Sequence, residues 1–126
     1  MSYKIIIIDG KVKAGRRQGR HLGFPTINVA VPRFIGKDDW GVYFSLINVE
    51  DKLYPGITHL GPPKTFSLHW ATCETHLLTV KGDFYGKKVE KKLLFRFREI
   101  QKFERISHLK KQIKKDLKAA KKFFGL

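Results

Sequence analysis

Residues 88–98 read Lys88-Val89-Glu90-Lys91-Lys92-Leu93-Leu94-Phe95-Arg96-Phe97-Arg98. Val89, Leu93, Phe95 and Phe97 alternate with Glu90, Lys92, Arg96 and Arg98, the two-residue period of a strand with one face in a core. Lys91 breaks the pattern, a cation on the inward parity. After Phe103 the period changes. Ile106, Leu109, Ile113, Leu117, Ala120 and Phe124 recur at spacings of 3, 4, 4, 3 and 4, which is one stripe of an amphipathic helix. Ser107 or Glu104 can open this helix and Gly125 closes it, so the expected span is about 104–124. Its lysines fall off the stripe, toward solvent.

Upstream, the signal is strand after strand. Residues 4–8 are a short apolar run ended by a turn at Asp9-Gly10. Residues 27–31 read as a strand stopped by Pro32. Residues 41–49 alternate Val42, Phe44 and Leu46 with Tyr43, Ser45 and Ile47, so both faces are at least partly covered. Glu50-Asp51-Lys52 is a hairpin turn. Residues 53–57 pair back, with Pro55 and Gly56 pointing to an edge or a bulge. Residues 59–64 contain Gly61-Pro62-Pro63 and read as loop. Strand character resumes at 66–70 and again at 74–80, where Glu74 and His76 share a face and Cys73 points the other way. Many short strands and glycine-rich turns followed by one helix predict a mainly β fold: a small closed antiparallel barrel over about residues 1–100, with the helix packed against it. No strand–helix–strand alternation is present, which disfavours a doubly wound or P-loop fold.

The 126 residues fit one domain, with enough chain to bury an adequate core. A single cysteine rules out a disulfide framework within the chain and fits a reducing compartment. No apolar run reaches the ~20 residues of a membrane span, and the first residues do not form a signal segment. The expectation is a soluble, cytoplasmic protein with no membrane association. The formal charge of +15 predicts attraction to polyanions, whether nucleic acid or ATP.

The stretch with a chemical reading is Gly15-Arg16-Arg17-Gln18-Gly19-Arg20-His21-Leu22-Gly23-Phe24-Pro25-Thr26-Ile27-Asn28. Gly15, Gly19 and Gly23 permit close backbone approach to a ligand, and their N–H groups suit phosphate. Pro25 fixes its own φ and biases Phe24 toward extended backbone. Thr26 and Asn28 lie two apart, so in a strand their oxygens point to one side, a pairing suited to a hard cation. The loop reads as a nucleotide-and-metal site. It is not a Walker A loop, which needs Gly-Lys-Ser/Thr before a helix. Arg20 is a candidate phosphate contact, and Phe24, Trp40 and Trp70 are candidate stacking residues, although aromatics are usually core. His21, His59, His69 and His108 show no metal-ligand spacing.

This loop resembles the signature of the ATP-dependent riboflavin kinases, the flavokinase family. The similarity continues through Gly41-Val42-Tyr43, Glu74-x-His76-Leu77-Leu78, Phe84-Tyr85-Gly86, Arg98 with Phe103, and Leu109-x2-Gln112-Ile113-x2-Asp116. One segment departs: Thr58-His59-Leu60-Gly61-Pro62-Pro63-Lys64-Thr65-Phe66 lacks the arginine usual there. The resemblance implies a six-stranded, Greek-key-like barrel and a stand-alone kinase domain over 1–126. It implies transfer of the γ-phosphate of ATP to the ribityl 5′-hydroxyl of riboflavin, giving FMN and ADP, with Mg²⁺ or another divalent cation. It assigns Glu74 as catalytic base, Thr26 and Asn28 to the metal, and Gly15, Gly19, Arg20, Gly23, Phe24, Pro25 and Thr26 to ATP and its phosphates. By spacing alone, Glu74 reads only as an acid near a strand end. No adenylyltransferase portion is seen, so FAD synthesis is not implied, and no obligate protein partner is evident. The rivals are a basic small-barrel module that binds nucleic acid through charge and aromatics, and a flavin-binding relative without catalysis.

Overall fold

In the computed structural model, which describes residues 4–13, 26–62, 71–82 and 84–126, six antiparallel strands form a half-barrel that carries a C-terminal helix. The strands are β1 (Ile6–Lys11), β2 (Thr26–Val29), β3 (Gly41–Val49), β4 (Lys52–Gly61), β5 (Thr72–Leu77) and β6 (Lys88–Arg98), and the helix α1 is Ile106–Phe124. Their order across the sheet is β1-β6-β3-β4-β5-β2. The expected closed barrel is therefore corrected to an open one, with β1 and β2 as its edges. Among the described residues these edges meet at a single bridge, where the Lys13 N–H donates to the Asn28 carbonyl at 2.9 Å.

The two faces of the curved sheet bury different sets of residues. Inside lie Ile6, Ile8, Ile27, Val29, Tyr43, Ile47, Leu60, Cys73, Val89 and Leu93. Outside, Val42, Phe44 and Ile57 meet Leu117, Ala120 and Phe124 of α1. The inward assignment of Phe95 and Phe97 is corrected here. The register of β6 against β3 slips between Val42 and Tyr43 and between Phe44 and Ser45. Each slip inserts an unpaired residue and flips the pleat. Phe95 thereby comes opposite Phe44 on the outer face, and Phe97 stacks on Phe44 at 4.8 Å between ring centres. N-terminal to the slips the parity is intact, so Lys91 points into the interior and is fully buried.

Several element boundaries also differ from expectation. Asp9 and Gly10 continue β1 opposite Glu90 and Val89 instead of turning. A Cβ on Gly10 would lie 3.1 Å from Val29 Cβ, so glycine lets the two edges approach. β4 is a central strand that runs through His59 to Gly61, not an edge that gives way to loop. Pro55 is tolerated because the β5 ladder starts only at Gly56. The Pro55 carbonyl accepts the Leu78 N–H at 3.0 Å, so its missing N–H falls on the side where β5 has ended. The hairpin turn stands: Glu50 and Asp51 have φ of 51° and 65°, the positive values of a two-residue type I′ loop. The strand expected at 66–70 lies outside the described residues.

α1 starts after Arg105 and ends at Gly125, whose φ of 73° is the left-handed cap expected of it. Asp116 anchors it. Arg98 donates from Nε and Nη2 to the two Asp116 carboxylate oxygens at 3.0 and 2.7 Å, and Gln112 Nε2 donates to Oδ1 at 2.9 Å. Asp116 is 4% exposed, so β6 and the helix are joined by a nearly dry two-pronged ion pair.

Candidate active site

The strand registers bring distant residues into one row on the outer face. Arg98 lies opposite Val42, Val42 opposite His59, His59 opposite Glu74, and Glu74 opposite Asn28. The neighbouring row runs Phe44, Ile57, His76, Thr26. Glu74 thus adjoins the Thr26–Asn28 pair instead of lying across the half-barrel from it. Directly opposed side chains on adjacent strands are about 5 Å apart at Cβ, within reach of a shared ligand.

Thr26 and Asn28 point to one side, as their spacing predicts. Asn28 Nδ2 donates to Thr26 Oγ1 at 3.1 Å. That bond uses the donor end of the amide, so Oδ1 is the end suited to a cation, beside an oxygen of the hydroxyl. Among the described residues no group of three His, Cys, Asp or Glu side chains could hold a metal. Two neutral oxygens supplemented by phosphate and water suit Mg²⁺, which keeps much of its hydration.

One end of the row is covered by α1. His59 and His76 are buried beneath it, beside a void of about 10 Å³ that Arg98, Ile113 and Asp116 also line. That space is too small for a substrate, so the helix closes this end of the row. A larger depression of about 550 Å³, lined by Asp9, Asn48, Glu50, Asp51 and Glu90 among others, contains none of Thr26, Asn28 or Glu74.

Beneath the row, inside the half-barrel, the Lys91 side chain crosses from β6. Its Nζ donates to the carbonyls of Ile27 at 2.7 Å and Cys73 at 3.2 Å, and lies 3.7 Å from Cys73 Sγ. Burial pushes the Lys91 amine below its ordinary 10.5, with the nearby Cys73 and Glu74 opposing the shift. Burial likewise pushes the Cys73 thiol up, which makes it a poor nucleophile, as its inward parity suggests. Gly15, Gly19, Arg20, Gly23, Phe24 and Pro25 lie outside the described residues, as does Trp70.

A sequence model for flavokinases, described as riboflavin kinase, matches residues 3–124. The chain belongs to the flavokinase family. It is 38% identical over 121 residues to an RNA-binding riboflavin kinase of Bacillus subtilis, covering 95% of this chain and 52% of that protein. It is 36% identical over 120 residues to a bifunctional riboflavin kinase/FMN adenylyltransferase of Escherichia coli, covering 94% and 38%. A trifunctional protein of Mycoplasmoides gallisepticum matches at 36% identity over 93% of this chain and 18% of its own length. The chain thus spans about half or less of these curated relatives. Among solved structures, a riboflavin kinase from Trypanosoma brucei superposes with a TM-score of 0.65 at 23% identity, over 99% of this chain and 83% of that one, a likeness of fold. A Streptococcus pneumoniae structure described as a macrolide-efflux protein superposes with a TM-score of 0.78 at 27% identity, over 91% and 38%.

Arg98, Gln112 and Asp116, three of the residues on which the sequence resemblance was drawn, form the clamp between sheet and helix. Two neighbours of Glu74 carry little local signal. The prolines after His59 point to a loop, although the residue lies in β4 opposite Glu74, and Lys91 shows in the sequence only as a break in parity.

Proposed function

We propose that this chain transfers the γ-phosphate of ATP to the 5′-hydroxyl of riboflavin, forming FMN and ADP. The observation that carries this reading is the placement of Glu74 opposite Asn28 on adjacent strands, with Asn28 bonded to Thr26. A hydroxyl attacking phosphorus must lose its proton, and a carboxylate within hydrogen-bond reach takes it. Glu74 has that role, as the base. Thr26 Oγ1 and Asn28 Oδ1 would hold Mg²⁺, which supplies neutralisation of phosphate charge when bound. The strands fix the acid and the two oxygens relative to each other before substrate arrives, so most of the acceleration comes from alignment. Gly15, Gly19, Arg20, Gly23, Phe24, Pro25 and Thr26 are assigned to ATP and its phosphates. The setting proposed is the cytoplasm, and among the described residues no helix is long and apolar enough to span a membrane. A basic nucleic-acid module gives no reason for an acid beside a hydroxyl–amide pair, and that reading is not favoured.

The test is incubation with riboflavin, ATP and Mg²⁺ and chromatographic detection of FMN. Glu74→Gln is expected to keep flavin binding, seen as fluorescence quenching, while kcat falls by about 10²-fold or more. Unchanged turnover removes Glu74 from the role of base. No FMN from the folded parent protein with any divalent cation overturns the activity.

A further inference from the structure

Lys91 is a fully buried lysine whose role in the kinase reading is unassigned. Burying an amine is costly unless its hydrogen bonds are replaced, and an apolar residue would fill the space without that cost. Its bonds go to two places in particular. Ile27 and Cys73 immediately precede Asn28 and Glu74. The carbonyl of one residue and the nitrogen of the next share one rigid peptide plane. Nζ therefore holds the planes from which the Asn28 and Glu74 side chains spring. The side chains of Ile27 and Cys73 face inward with Lys91, and those of Asn28 and Glu74 face out.

We propose that Lys91 is a positioning residue of the candidate active site: from β6 it ties β2 to β5 at the carbonyls of Ile27 and Cys73, and so fixes the separation of Asn28 from Glu74. The β2–β5 ladder pairs Asn28 with Glu74 directly; the strut adds a tie from that pair to β6, which is adjacent to neither strand and which no ladder can link to them. The need is greatest at β2. This strand has four residues and forms one edge of the open half-barrel, with β5 on one side and, among the described residues, only the Lys13 bridge on the other. Without the strut β2 can slide or splay relative to β5, and the metal-side oxygens move with it. A displacement of about 1 Å at reacting groups is worth about 10²-fold in rate.

The proposal rests on the kinase reading for its catalytic consequence, so its test has an arm that does not. Lys91→Met keeps the length of the side chain and removes the donors. Amide hydrogen exchange is measured across β2, β5 and β3 in the parent and variant without ligands. The expected result is at least tenfold faster exchange in β2 and β5, with Ile47 in β3 unchanged. In the FMN assay kcat is expected to fall by tenfold or more, with KM for riboflavin within about twofold. Lys91→Gln, which retains a donor, is expected to recover part of both losses and is the variant to measure should Lys91→Met not fold. Exchange that rises equally in all three strands, or does not change, overturns the positioning role. So does a kcat within twofold of the parent. A parent protein that forms no FMN overturns the kinase reading instead, and the exchange arm still decides the role of Lys91.

Discussion

Replacing Asp116 with alanine should undock the helix by a calculable amount. Asp116 is 4% exposed and accepts two bonds from Arg98 and one from Gln112. Removing one member of a buried ion pair costs about 3–5 kcal/mol, because the surviving charge is left without its partner. The Arg98 side chain is 19% exposed and can turn partly to water, so the lower figure applies, about 3 kcal/mol. Unfolding entropy is about 2.1 cal/mol/K per residue, which puts the fall in Tm for a chain of 126 residues near 11 °C. Thermal and urea unfolding followed by far-ultraviolet circular dichroism measure both quantities. A double variant, Arg98→Met with Asp116→Leu, removes both charges and should recover most of the loss. A loss below about 1 kcal/mol for Asp116→Ala would refute the claim that this pair holds the helix. A double variant no more stable than the single one would show that the cost lies in packing and not in an abandoned charge.

Gly56 and Asp39 contribute to stability by other means. Gly56→Ala places a Cβ 2.8 Å from the His76 carbonyl oxygen and from Thr75 Cγ2, so β4 and β5 must separate. A loss of about 1–3 kcal/mol in urea unfolding is expected, and a neutral substitution would contradict the close approach. Asp39 has its carboxyl held below the ordinary 3.8 by the Lys4 ammonium and the Gly36 N–H. A carboxyl depressed on folding stabilises the fold fully above its unfolded pKa, and the contribution is lost as pH falls through the lower folded value. Asp39→Asn should therefore flatten the acid limb of the stability profile below about pH 4, and an unaltered limb would remove Asp39 from that role.

The period of the sequence was enough to determine the secondary-structure class. Alternation marked the strands at 41–49 and 88–98, and the 3–4 spacing marked α1, because apolar side chains must share a face to be buried at all. The neighbouring positions of Thr26 and Asn28 likewise made their common direction legible. Bulges were not legible, since β6 shifts phase through pairing with β3 and nothing in Phe95 or Phe97 alone announces it. Nor was the length of β4, where Thr58 and His59 are held by Thr75 and Glu74 against the local preference of Gly61-Pro62. The tertiary structure decided what lies opposite what. Residues 28 and 74 become neighbours, and Lys91 reaches below both, because non-local strand pairing sets the register and local sequence carries no term for it.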